Sequence, residues 1–194
     1  MTGSSPTIVG PETHHLAVID MQVVFADPAS EWATPGFAAI LPRVQELVAA
    51  LAPQVTLTRF IAPATPEGAW REYYALWPFA RQPPDAPLYD LVPGLPPAAE
   101  LAPTVTATTF SKWGPDLAAA VGPRTLLLAG VSTDCCVLST ALAAADAGVP
   151  VQVVADGCAG MDAASHAAAL HVMDLYAPLI EVVDMAAVRA KASG

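Results

Sequence analysis

Leu126-Leu127-Leu128-Ala129-Gly130-Val131-Ser132-Thr133-Asp134-Cys135-Cys136-Val137-Leu138-Ser139-Thr140-Ala141 decides the fold of this chain. Its first half is a short apolar run, the pattern of a strand buried on both faces. Thr133 and Asp134 are residue types favoured at a helix N-cap. Val137, Thr140, Ala141 and Ala144 then recur at helical spacing until Gly148 stops the pattern as a C-terminal cap would. The stretch therefore reads as strand, sharp turn, helix, with Cys135 and Cys136 in the first turn of the helix. A thiol there faces unpaired backbone N–H groups and the positive end of the helix dipole, which favour thiolate. The same N–H groups suit a developing oxyanion.

The rest of the chain repeats the alternation. His15-Leu16-Ala17-Val18-Ile19-Asp20 is a first strand ending in a carboxylate, followed by Met21-Gln22. Phe25 to Gly36 reads as loop. Pro42 suits the first turn of a helix carrying Val44, Leu47, Val48 and Leu51. Further strands are expected at 55–60, 103–110, 125–131, 150–156 and 179–183, and helices at 115–121, from Asp162, and at 185–192. Between Pro63 and Pro103 the chain is rich in proline and aromatic residues, with Trp70, Tyr73, Tyr74, Trp77 and Phe79 close together. So long an irregular stretch suggests a functional loop or lid. Strands alternating with helices predict an α/β, three-layer α/β/α sandwich around a six-stranded parallel sheet, Rossmann-like in kind. No repeat or second domain is visible, so residues 1–194 read as one domain with a loose lead-in over 1–13.

Composition narrows the classes of function. A net charge of −10, from 18 acidic and 8 basic residues, argues against nucleic-acid partners and anionic membrane surfaces. The first residues lack the basic and apolar regions of a secretory signal, and no uncharged run is long enough to span a bilayer. Three cysteines, two of them adjacent, make a poor disulfide framework, so a cytoplasmic protein with reduced thiols is expected. Hydrophobic residues reach 54% and charged residues only 13%, which suggests surface buried in a homo-oligomer.

Three polar groups fall at strand ends: Asp20, Lys112 in Ser111-Lys112-Trp113-Gly114, and Cys136. All carboxyl ends of a parallel sheet share one edge, so these groups can converge as base, positive charge and nucleophile. Gly130-Val131-Ser132-Thr133-Asp134 departs from a nucleophile elbow at its last position. His14 and His15 open a strand, and His166 and His171 lie on an expected helix, so a catalytic histidine is not expected. Cys158 reads as a small buried residue. Clustered metal ligands and glycine-rich phosphate loops are absent from the pattern.

Val18-Ile19-Asp20-Met21-Gln22, Phe110-Ser111-Lys112-Trp113 and Gly130-Val131-Ser132-Thr133-Asp134-Cys135-Cys136-Val137 resemble the signature segments of the isochorismatase-like cysteine hydrolases. Asp156-Gly157-Cys158-Ala159 resembles the family's loop after its fifth strand. The resemblance spans roughly residues 15–185 and implies Asp20, Lys112 and Cys136 as a catalytic triad, with Cys136, just before the valine, as nucleophile. It also implies a cis peptide between Val131 and Ser132 and an oxyanion hole of the Ser132 and Cys136 N–H groups. Nicotinamidase relatives hold a divalent metal through acid and histidine residues after the second strand. Here that place reads Thr58-Arg59-Phe60-Ile61-Ala62-Pro63, so neither a metal nor any other cofactor is expected, and nicotinamide is not the expected substrate. The resemblance thus implies hydrolysis of an amide or ureido C–N bond in a small molecule through a cysteine thioester. An isochorismatase-type ether hydrolase, a non-catalytic scaffold and a thiol redox sensor are the alternatives. Phe25, Trp70, Trp77 and Trp113 are candidate pocket residues, and Arg59 a candidate partner for a substrate carboxylate.

Overall fold

A computed structural model describes residues 10–192. Residues 1–9 of the lead-in lie outside the described residues. Six strands form one sheet: β1 (His14–Ile19), β2 (Val55–Phe60), β3 (Ala102–Ala107), β4 (Thr125–Val131), β5 (Val151–Ala159) and β6 (Ile180–Val183). They lie in the order β3-β2-β1-β4-β5-β6 and every pairing is parallel. The order reverses between β1 and β4, and the crevice beyond the carboxyl ends of that pair is where open α/β sheets place their ligands.

β1 and β4 are nearly continuous apolar runs because both faces of the sheet are covered. Leu16, Val18, Leu127, Ala129 and Val131 face the side packed by α2 (Phe37–Leu51) and α7 (Met185–Ala192). Ala17, Ile19, Leu126 and Leu128 face the side packed by α4 (Pro115–Val121), α5 (Leu138–Asp146) and α6 (Ala163–Asp174). These are the three expected layers. β1 and β4 approach closely at the Ile19–Gly130 pair, where Gly130 has φ +118° and a Cβ would sit 2.2 Å from the Ile19 carbonyl oxygen. Only glycine fits there.

Several boundaries differ from those expected. Pro42 lies inside α2, which begins at Phe37. Phe37 and Ile40 are buried, so packing extends the helix upstream, and the hydrogen bond that Pro42 removes lies on the exposed face. β3 ends at Ala107 and not Phe110, because residues 108–110 turn toward Lys112. β5 runs through Gly157 and Cys158 to Ala159, so the expected loop after residue 156 is strand with shifted register against β4. Gly148 does end α5. At φ +82° it donates to Ala145 O while Val149 donates to Ala144 O, the paired bonds of a Schellman cap.

The proline-rich segment holds a helix, α3 (Trp70–Leu76), and three short 3₁₀ turns. It is tied down and is not a free flap. The buried Tyr89 hydroxyl accepts from Ala62 N–H and donates to Ala80 O, and the Gln22 amide reaches both Phe60 O and Tyr89 O. Val23 N–H donates to Asp90 O, and Val92 N–H to Met21 O. The segment thus forms a wall over the carboxyl ends of β1 and β2.

Candidate active site

Asp20 is the residue after β1, and its φ of +48° is the left-handed conformation that aspartate tolerates better than most side chains. Its carboxylate is completely buried. Thr58 on β2 holds it twice: the hydroxyl donates to Asp20 Oδ1 at 2.6 Å and accepts from Asp20 N–H at 3.1 Å. The other oxygen, Oδ2, pairs with Lys112 Nζ at 2.9 Å, with both side chains fully shielded from solvent. The ammonium also donates to Thr109 O at 2.9 Å and Phe110 O at 3.0 Å. The Phe60 ring lies 5.1 Å from Nζ. The early end of β3 thus has a consequence: the turn at 108–110 supplies the carbonyls that make a buried lysine tolerable.

Cys136 sits beyond β4. The peptide between Val131 and Ser132 is cis, and Thr133–Val137 then forms one π-helical turn before α5. Ser132 O accepts from Cys135 N–H at 3.2 Å and from Val137 N–H at 3.1 Å, two bonds that straddle Cys136. Such turns often mark functional positions. Thr133 and Asp134 do not act as the expected caps. The position before the turn is Ser132, with no side-chain cap bond. Thr133 shares a hydrogen bond with His166 Nδ1 at 2.8 Å, and Asp134 accepts from Met161 N–H at 3.0 Å. His166 therefore reaches this turn from α6, but its bond is to Thr133. Thr140, buried on α5, joins the Cys136 segment to the Lys112 segment: its hydroxyl donates to Cys136 O at 2.7 Å and accepts from Lys112 N–H at 2.9 Å.

Asp20 and Lys112 meet at the sheet edge, and both charges act on the Cys136 thiol. The electrostatics correct one expectation. Burial, reinforced by the Asp20 charge and opposed by Lys112, pushes the Cys136 thiol well above its ordinary range. The position at the helix start does not yield a standing thiolate, because desolvation beside a carboxylate outweighs the backbone dipoles. Half-buried Cys135 is also shifted up, by burial and by Asp134. Cys158 is buried, with its thiol pushed up to about 12 by desolvation.

A small cavity, open to solvent, adjoins Cys136. Phe25, Trp32, Thr34, Phe60, Tyr73 and Phe110 form its walls, and Ser132, Cys135, Cys136 and Met161 complete the lining. Of the pocket residues expected from sequence, Phe25 lines it and the others do not. Arg59 spends its guanidinium on Tyr89 O and Pro84 O, which corrects its proposed contact with a carboxylate. Trp70 packs behind the wall on Tyr73, Tyr74 and Phe110. Trp77 packs on Trp32 and Phe79. Trp113 joins the core on the other face of the sheet. Trp32 is the residue that sequence reasoning missed. It lies buried within a loop, near-parallel to Phe25 at 6.1 Å, with edge contacts to Phe60 and Phe79. A lone tryptophan between prolines was its only sequence signal.

A buried carboxylate, a lysine and a thiol stand at the switch point of a parallel sheet in a three-layer α/β protein. The chain belongs to the isochorismatase family, whose domain matches residues 14–186. Solved structures share the fold. A cysteine hydrolase from Pseudomonas syringae pv. phaseolicola superposes with TM-score 0.81 at 21% identity, covering 99% of each chain. An isochorismatase family protein from Desulfovibrio vulgaris gives 0.78 at 24% identity, covering 94% of this chain and 99% of the other. A pyrazinamidase of Pyrococcus horikoshii in complex with zinc gives 0.70 at 24% identity, covering 89% and 99%. A comparison with curated proteins gave no match. The residues here do not fit a zinc site: Phe60-Ile61-Ala62-Pro63 offer no ligand side chain, and no three His, Cys, Asp or Glu residues cluster among the described residues.

Proposed function

We propose that this family member hydrolyses a C–N bond of a small amide or ureide through a thioester on Cys136. The observation that carries this reading is a buried carboxylate, held by Lys112 and Thr58, whose charge acts on the Cys136 thiol at the edge of a cavity. Because the thiol rests protonated, Asp20 acts as general base when substrate arrives. It takes the S–H proton as sulfur bonds to the carbonyl carbon and the carbonyl pair moves to oxygen. The N–H groups of Ser132 and Cys136 stabilise that oxyanion, each worth on the order of 3 kcal/mol. Collapse breaks the C–N bond while Asp20 returns its proton to the leaving nitrogen. Water then attacks the thioester with Asp20 again as base, releasing the acid and restoring the thiol. Lys112 balances the carboxylate charge and counters its effect on the thiol.

The proposal takes a small molecule as partner and no nucleic acid or anionic membrane surface, given the net charge of −10. No helix among the described residues is long and apolar enough to cross a membrane. A homo-oligomer is part of the proposal, supported by Leu175 and Leu179 standing exposed near the end of α6. Ammonia release from a panel of amides and ureides tests the chemistry. Cys136→Ala abolishes turnover and Cys135→Ala retains most of it; comparable loss from both overturns the assignment.

A further inference from the structure

The turn that carries Cys136 is braced from outside. Its backbone gathers two N–H groups, from Cys135 and Val137, on the Ser132 carbonyl, and Ser132 makes no side-chain cap bond. π-helical geometry of this kind is rare. Two consecutive side chains of the turn reach one neighbouring segment. Thr133, fully buried, shares a hydrogen bond with His166 Nδ1 at 2.8 Å, and Asp134 Oδ1 accepts from Met161 N–H at 3.0 Å. That segment is itself fixed where it enters α6, because Asp162 accepts from Ser165 N–H at 2.7 Å. Gly160 lets the two segments meet: a Cβ there would sit 2.7 Å from Asp134 Oδ1 and 3.0 Å from His166 Cβ. The buried residues of α6 are Ala169 and Met173, whereas His166 is only half-buried. Its ring is spent on the turn more than on the core.

The braced residues lie between the atoms that the chemistry uses. Ser132 precedes Thr133, Cys136 follows Asp134 by two positions, and both line the cavity, as does Met161 at the other end of the brace. We propose that His166 is a positioning residue: through its hydrogen bond to Thr133 it holds the turn so that the Ser132 N–H and the Cys136 sulfur face one point in the cavity. The inference rests on the cysteine-hydrolase reading and deepens it. A group that aligns nucleophile and oxyanion donor acts on the transition state more than on bound substrate, so its loss falls on kcat.

The test compares wild type with His166→Leu, which removes Nδ1, and His166→Asn, whose side-chain amide stands where Nδ1 stood. Thr133→Val and Thr133→Ser make the same comparison from the other end of the bond. Ammonia release from the amide and ureide panel gives kcat and KM. In His166→Leu, kcat falls about 10- to 100-fold, the cost of a slight misalignment, while KM stays nearly constant. His166→Asn and Thr133→Ser recover most of the loss. The double variant Thr133→Val/His166→Leu is no worse than the poorer single, because both break one bond. A second readout needs no turnover. The Cys136 thiol adds to ¹³C-labelled propanal: the C–S bond forms, and the S–H proton passes to the former carbonyl oxygen, which takes the oxyanion's place. The adduct resonance that is missing in Cys136→Ala reports its affinity, which falls in His166→Leu and returns in His166→Asn. Urea midpoints show which variants are folded, and the Thr133 pair carries the test if His166→Leu is not. Unchanged kcat in both His166→Leu and Thr133→Val, a loss carried by KM, additive losses in the double variant, or no recovery in either conservative variant overturns the assignment. If adduct affinity follows the bond but no amide or ureide releases ammonia, the positioning role stands and the hydrolase reading falls. If the wild type forms no Cys136 adduct and releases no ammonia, the positioning role is overturned.

Discussion

Lys112→Met tests whether the buried ion pair is one energetic unit. Asp20 and Lys112 meet at 2.9 Å with both side chains fully shielded. At an effective dielectric constant of about 20, two unit charges at that separation attract by about 6 kcal/mol, a ceiling before desolvation is subtracted. Removing the ammonium leaves a buried carboxylate with only the Thr58 hydroxyl to satisfy it. Losses of about 3–5 kcal/mol are typical when one partner of such a pair is deleted. Asp20→Asn leaves the ammonium bonded to Thr109 O and Phe110 O and costs less. The double variant Asp20→Asn/Lys112→Met removes both charges and is more stable than Lys112→Met alone. Urea denaturation at pH 7, followed by the fluorescence of the four tryptophans, closes the cycle. The expected coupling is at least about 2 kcal/mol. All three variants are inactive on any amide that the wild type hydrolyses, which separates the catalytic need for the pair from its stability cost. Single losses that add to within about 0.5 kcal/mol would refute the reasoning, because no unpaired charge would then have been created.

Other perturbations follow from single contacts. Gly130→Ala drives a Cβ to 2.2 Å from Ile19 O at φ +118°, and the expected loss is about 3 kcal/mol or more, read as a fall in the urea midpoint. Thr140→Val leaves Lys112 N–H without an acceptor and withdraws the bond to Cys136 O; it costs about 2 kcal/mol and lowers kcat, and Thr140→Ser restores both. His15, bonded to Thr56, is held down to about 4 from an ordinary 6.5, by burial first and then by Arg124. Between those values the unfolded chain takes a proton that the folded chain refuses. Stability therefore falls as pH drops from about 6.5 to 4, by about 1 kcal/mol per unit at the steepest, and this contribution falls no further below 4. In His15→Gln that part of the slope disappears; a slope identical to wild type between pH 6 and 4.5 would count against the assignment.

The three layers and the parallel six-stranded sheet were legible because they rest on local signals. An apolar run long enough for one strand, a polar residue at its end and a glycine cap are each written within a few neighbouring residues. A parallel sheet then requires all such ends to share an edge. Where packing competes with a local rule, the sequence misleads: Pro42 marks a helix start by propensity, yet Phe37 and Ile40 draw the helix past it.

The cavity wall was far less legible. Trp70 and Trp77 stand in the same aromatic stretch as Tyr73, yet only Tyr73 reaches the cavity, because α3 turns the others onto neighbouring rings. Arg59 carries the right charge for a substrate, but Tyr89 O and Pro84 O, 30 and 25 residues away, claim it first. The state of Cys136 is the sharpest case. Residue order puts it at a helix start, which favours thiolate. Burial beside Asp20 reverses that, since desolvation depends on everything that closes around a group and not on its place along the chain. Residue order therefore set which chemical groups this protein brings to the sheet edge. Three-dimensional packing set their protonation, their partners and the shape of the space they face.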